Sequence, residues 1–399
     1  MGRSAMVALL LGALAVALAY GVALPILPFL LERRLGPGAD VGWHTGLLTA
    51  TYTFALFLFA PFWGRLSDRW QRRGVILIGL AGFAASLVVF AFIDSLAALY
   101  SGRFLSGAFA AAVVPVALAT LADWAVDEAA RARHFAWLNI AGIAGSLAGP
   151  ALGGMLGNLW SRGAPASGGP FLLVAIAAGA IAVFAWYALP GSAPPRLEAA
   201  RSRPARAELR RLLFFALLAA WALGTFEVGL ALRAQGELHL DPAETGLMFV
   251  ECMLVMVAAQ ALAFNRWIPS ARTRWLLAPA FLLLALGLLL LSRAAAPQSL
   301  YIAVGAVAAA AGLLSPVIAF WVSMAAGEVQ GRELGRQTSA ASLGQALGSA
   351  AGGLLYGLGG EGGAYLLAAA LAILGALVAM PLSRRLASLI PAPVPDDAL

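Results

Sequence analysis

The acidic side chains lying inside long apolar runs are the residues of this sequence best able to do chemistry. Glu227 sits in Gly224-Thr-Phe-Glu-Val-Gly229, about 15 residues after an apolar run begins near position 212, roughly 22 Å along a helix rising about 1.5 Å per residue. Glu251 lies about six residues into the next run. A carboxylate at such depth costs about 2.5 to 3.5 kcal/mol on insertion scales, a cost that a partner or a bound proton relieves. Each can therefore take up and release protons. Arg103, about six residues inside an earlier run, is equally costly unless it faces protein or water, which marks it as a pathway residue or a counter-charge to Glu227; Arg233 is the other cation placed to pair there. Bond-making chemistry lacks a matching set. Cys252 is the single cysteine, and His44, His134 and His239 lie far apart with no metal-ligand spacing, so no metal and no cofactor are expected.

These charges are conspicuous because of what surrounds them. Of 399 residues, 62% are hydrophobic and 11% charged, and the mean hydropathy is +0.88; soluble domains carry about 45–50% apolar and about 25% charged residues. A water-soluble globular protein is excluded, and so are a disordered chain and, without a G-x-y period, a collagen. Crossing a bilayer takes about 20 apolar residues. Twelve such stretches occur, near 5–31, 43–63, 74–93, 97–122, 134–158, 170–189, 212–233, 245–264, 275–292, 298–322, 338–358 and 362–383. Ala17-Leu18-Ala19 imitates a signal-peptide cleavage site, but the apolar run continues through Pro25 and Pro28, so a retained first helix is expected.

All 26 basic residues are arginines, giving a formal charge of +7. They sit in connections rather than on a soluble module that could hold nucleic acid. If both ends of the chain face the cytoplasm, 20 of the 26 lie on that side, as the positive-inside rule requires. A Pro- and Arg-rich connection at 191–211 falls at the midpoint. It divides the chain into an N-terminal six-helix bundle (1–190) and a C-terminal one (212–399). A repeat supports the division: Gly145, Gly149, Gly153 and Gly154 recur 199 residues later as Gly344, Gly348, Gly352 and Gly353. The expected fold is an all-α integral membrane protein, with twelve transmembrane helices in two pseudo-symmetric six-helix bundles and a substrate site between them.

Three motifs carry a family resemblance. Gly64-Arg-Leu-Ser-Asp68-Arg69-Trp-Gln-Arg72-Arg73 follows the second span and resembles the loop motif of the major facilitator superfamily, with Gln71 where that family has glycine. Arg103-Phe-Leu-Ser-Gly107 resembles the superfamily's R-x-x-x-G element. Gly145-Ser-Leu-Ala-Gly149-Pro150-Ala-Leu-Gly153-Gly154 resembles the antiporter motif of its drug:proton efflux members, with Ala136 in place of the first glycine. The second half has no clear copy of the loop motif.

The resemblance implies a secondary active transporter working by alternating access, with proton-coupled export of a small lipophilic or cationic molecule. An exporter or symporter of a metabolite, sugar, siderophore or lysolipid is the alternative on the same fold, and a membrane-embedded enzyme is remote. It also implies roles. On that reading Glu227, Glu251 and Arg103, singled out above by their depth in apolar runs, would serve coupling and substrate. Gly64, Asp68, Arg69, Arg72, Arg73 and Asp123 would form a cytoplasmic gate, with Gly64 letting the loop approach another helix and Asp123 pairing with the arginines. The smooth face of Gly145, Gly149, Gly153 and Gly154, loosened at Pro150, would hold a helix of the other half at short range. Phe54, Phe57, Trp137, Trp221, Phe226 and Phe249 are candidate aromatic walls. The expected partners are substrate, protons and lipid, for a monomer in a bacterial inner membrane.

Overall fold

Backbone polar groups in lipid must be satisfied within their own segment, which leaves a chain this apolar little choice but helices. The computed structural model describes residues 2–36, 40–92, 95–124, 128–161, 169–191, 205–263, 270–294, 297–326, 330–357 and 362–386. Among these, the helices are α1 (Arg3–Leu35), α2 (Val41–Arg69), α3 (Arg72–Phe92), α4 (Leu96–Ala110), α5 (Val113–Asp123), α6 (Glu128–Ser161), α7 (Gly169–Ala188), α8 (Arg206–Gly236), α9 (Pro242–Ala263), α10 (Leu277–Leu291, entered through a 3₁₀ turn at Ser270–Leu276), α11 (Pro297–Ala326), α12 (Gln330–Gly357) and α13 (Gly363–Arg385). The fourth span is therefore two helices. Pro115 has no N–H to return to Ala111, and the chain turns at Ala111 and Ala112 before resuming.

Eleven of these spans are long and apolar enough to cross a membrane. The twelfth, α12, is 28 residues long but carries Arg336, Gln337, Thr338, Gln345 and Ser349. Its neighbours are α8, α2 and a cavity rather than lipid alone, so it needs less apolar surface.

Two hydrophobic cores organise the molecule. Phe83, Phe90, Phe171 and Leu121 belong to the core of α1–α7, and Phe215, Phe281, Leu314 and Trp321 to that of α8–α13. Leu24 of α1 crosses over and packs in the second core. The ends of α2 and α13 and the start of α8 place Arg65, Arg69, Arg206, Arg384 and Arg385 on one side, here the arginine-rich face. Helices that leave it arrive at the opposite face, where α1 ends on Gly36, whose φ of 77° lies in the left-handed region that favours glycine.

Candidate functional site

The two halves meet through backbones. A Cβ on Gly149 would lie 2.7 Å from Gly21 Cα, and one on Gly153 would lie 2.9 Å from Val22 Cα, so α6 lies directly against α1. Gly348 and Gly352 hold α12 against Trp221 and Thr225 of α8 in the same way, with a Gly348 Cβ 2.9 Å from Trp221 Cα. The last glycine of each set turns elsewhere. Gly154 faces Ala243 of α9 at 2.9 Å from its would-be Cβ, and Gly353 faces Gly46 of α2 at 2.6 Å. The expectation that the whole glycine face holds the other half needs correction: Gly145, Gly149 and Gly153 serve their own half, and Gly154 makes the crossing. One residue further along a helix is about 100° further round it, enough to address a different neighbour. Pro150 contributes to this crossing as well, since a Cβ on Gly246 of α9 would run into its carbonyl oxygen.

Both crossings lie towards the opposite face, where Gln235 of α8 also hydrogen-bonds Glu32 of α1. Towards the arginine-rich face the glycines of the described residues show no such close approach between the halves. Gly142 on α6 and Gly335 on α12 have nothing within 4 Å of a would-be Cβ, and Trp137 and Ile140 are exposed. Between these levels lies a cavity of about 360 Å³. Ala13, Val16 and Tyr20 of α1, Tyr52 and Thr53 of α2, Leu118 of α5, Asn139 of α6 and Gln345 of α12 are among its walls.

Glu227 sits beside this cavity, 3% exposed. Its Oε2 accepts a hydrogen bond from Tyr20 Oη at 2.6 Å and another from Gln345 Nε2 at 3.0 Å, and Gln345 Nε2 also donates to Tyr20 Oη at 2.7 Å. Thr225 Oγ1 donates to the Gly348 carbonyl at 3.0 Å and fixes α8 against α12 next to this triangle. Tyr20 is tilted against Tyr52 with centroids 5.7 Å apart, and Arg103 lies over the Tyr52 ring at 4.9 Å and the Phe90 ring at 5.8 Å. Arg103 is 2% exposed, its Nε has no hydrogen-bond acceptor, and among the described residues no carboxylate pairs with it. A carboxylate and a guanidinium are thus held apart by two phenols, in low dielectric, beside a water-accessible space. Neither Arg103 nor Arg233 is the partner of Glu227; Arg233 pairs with Glu237 at 2.7 Å and donates to the Leu291 carbonyl.

Other residues singled out in the sequence fall outside the cluster. Glu251 is exposed on α9, flanked at helical spacing by exposed Leu247, Leu254 and Val255, and joins none of these hydrogen bonds. Phe226 and Phe249 are buried in the second core and are not among the walls of this cavity. Phe54 is exposed, and the aromatic walls are Tyr20 and Tyr52 instead.

The loop motif is largely helical. α2 continues to Arg69, and only Trp70 and Gln71 make the turn into α3, with no positive φ that would call for glycine at Gln71. Gly64 has nothing within 4 Å of a would-be Cβ, which corrects the expectation of a close helix approach there in this conformation. Arg72 pairs with Asp123 of α5 and donates to Ser67 Oγ, a link inside one half. Arg73 lies over the Trp186 ring and donates to its carbonyl, while Arg69 is exposed. The side chain of Asp68 lies outside the described residues.

The family model described as Major Facilitator Superfamily matches residues 9–232 and again 212–395. A tetracycline resistance protein, class G, of Vibrio anguillarum is 43% identical over 159 residues, 40% of this chain and 39% of that protein. The chain thus aligns with about two fifths of the length of this relative. Multidrug resistance protein 1 of Bacillus subtilis is 24% identical over 85% of this chain and 86% of its own. Among solved structures, the human organic anion transporter MFSD10 superposes with a TM-score of 0.72 over 95% of this chain and 99% of its own, at 24% identity.

Proposed function

Because the chain belongs to the Major Facilitator Superfamily, we propose that it is a proton-coupled exporter of small lipophilic or cationic drugs, with Glu227 as the proton site. The observation that carries this reading is a carboxylate, Glu227, buried where the two halves meet and hydrogen-bonded to Tyr20 and Gln345 in the wall of the adjoining cavity. A cavity of about 360 Å³ falls within the range of about 300–1,000 Å³ typical of small-molecule sites. The tetracycline resistance relatives make tetracycline the first substrate to try.

The arginine bias supports an arginine-rich face in the cytoplasm of an inner-membrane protein, and on that reading the cavity is inward-facing and closed outside. Substrate enters there while Glu227 is ionised. A proton arriving from outside neutralises Glu227 and lets it pass through the occluded stage at low cost. A cationic substrate satisfies the same carboxylate, so proton and substrate exclude one another and their fluxes run in opposite directions. The halves that rock are 1–190 and 212–399, joined by 191–211. Arg103 keeps the pocket near electrical neutrality when Glu227 is ionised.

Glu227→Gln in proteoliposomes tests this. The isosteric amide is expected to abolish tetracycline accumulation driven by an imposed pH gradient while leaving downhill exchange measurable. Full accumulation with an unaltered pH dependence would remove Glu227 from the coupling role.

A further inference from the structure

The triangle of Tyr20, Glu227 and Gln345 has a feature that proton binding alone does not require: it spans the two halves. Tyr20 belongs to α1, whereas Glu227 and Gln345 belong to α8 and α12, so the bonds Tyr20–Glu227 and Gln345–Tyr20 both cross the boundary. The donor inventory is fully used. The phenol has one proton, given to Glu227; the Gln345 amide nitrogen has two, directed at Tyr20 Oη and Glu227 Oε2. An oxygen that accepts two such bonds carries no proton itself, and the bonds are strongest when the whole carboxylate is ionised. A proton on Oε2 would meet two incoming donors, and a proton on Oε1 would turn charge-assisted bonds into neutral ones, about half as strong.

Resting on the reading of Glu227 as the proton site, we propose that Tyr20 and Gln345 are positioning residues that lock the empty, deprotonated carrier by tying one half to the other through the Glu227 carboxylate. The tie holds only while Glu227 is ionised and the cavity is empty. Protonation of Glu227 weakens it from one end. A substrate that occupies the hydrogen-bonding groups of Tyr20 or Gln345, both in the cavity wall, dissolves it from the other. Either ligand therefore frees the halves to rock, and the ligand-free carrier stays put. That forbidden step is the one through which protons would leak, since a carrier that released its proton inside and returned empty would conduct protons without exporting anything.

The groups around the triangle fit a switch operated by Glu227 itself. The titratable groups facing it are Tyr20 of α1 and Cys252 of α9, with Tyr52 of α2 behind Tyr20 and Arg103 of α4 behind Tyr52. From α12 it meets the neutral Gln345. Among the described residues no other charge reaches it.

The test needs no substrate in its main arm. Proteoliposomes holding a pH-sensitive dye are given an inward-directed proton gradient, and proton flux is recorded for the wild type, Tyr20→Phe, Gln345→Met and Glu227→Gln. Removing one hydrogen bond to a charged group should raise the substrate-free proton flux on the order of tenfold in Tyr20→Phe, with a matching fall in gradient-driven tetracycline accumulation. Gln345→Met should do the same, and it carries the test if Tyr20→Phe does not fold. Wild-type flux in the folded variants overturns the lock. Glu227→Gln decides the parent reading separately: if it keeps gradient-driven accumulation, the proton site is elsewhere, whereas if it loses accumulation and Tyr20→Phe does not leak, only the lock is wrong.

Discussion

Gly154→Ala adds one methyl group at the crossing between α6 and α9. That methyl would run into the Pro242 carbonyl oxygen and sit 2.9 Å from Ala243 Cα, where ordinary contact begins near 3.4 Å. Both obstacles are backbone, so no side chain can swing aside and the helices must part by roughly an ångström. Overpacking of this kind costs about 1–3 kcal/mol. The gain in helix propensity from Gly to Ala, about 1 kcal/mol, applies to both conformations and cancels. The strain applies only where the crossing is closed, so the open-to-closed ratio at this face should rise about 5- to 150-fold. Gly149→Ala is the matched control, since its methyl would meet Gly21 within one half and should lower thermal stability without moving the ratio. Spin labels at Arg33 and His239, exposed on the two halves at this face, read the populations by pulsed distance measurement; buried Cys252 stays out of reach of the reagent. Unmoved distances in Gly154→Ala, or an equal shift in Gly149→Ala, would refute the division into halves that move as units.

Two further outcomes follow from the same geometry. Arg103→Met removes a buried cation that has aromatic rings but, among the described residues, no carboxylate for company; melting temperature should hold or rise while tetracycline flux falls, and a lower melting temperature would make Arg103 a structural residue. Gly64→Ala should hold or raise the melting temperature, because its methyl meets nothing in this conformation and alanine is the better helix former, yet slow transport if α2 closes on another helix when the arginine-rich face shuts. Unchanged transport would mean that Gly64 makes no close approach in either state.

The spans and the glycine repeat were legible because lipid imposes them: a crossing needs a set length, and close packing of helices needs small residues at fixed intervals. Glu227 stood out because a charge inside an apolar run is expensive. Tyr20, Tyr52 and Gln345 did not, since neutral polar groups carry little such penalty and look like filler among Ala and Leu. The true extent of α2 was hidden for another reason. Hydropathy ends where arginines begin, but arginine is a good helix former, so α2 runs on into water as far as Arg69. Spacing gave Gly145 to Gly154 a common pattern without saying which helix each would meet. That depends on about 100° of rotation between adjacent residues and on tertiary placement.

The moving joint and the cargo pocket are made of different residues. At the crossings, Gly154 meets the backbone of Pro242 and Ala243, and Gly353 meets Gly42 and Gly46, so these close approaches are main chain against main chain. The pocket walls share α2, α6 and α12 with the crossings but lie on other turns of them, at Tyr52, Asn139 and Gln345. Wear on one therefore spares the other. On the exporter reading, mutations that reshape the pocket for a new compound leave the bearing untouched, which separates the choice of cargo from the motion that carries it.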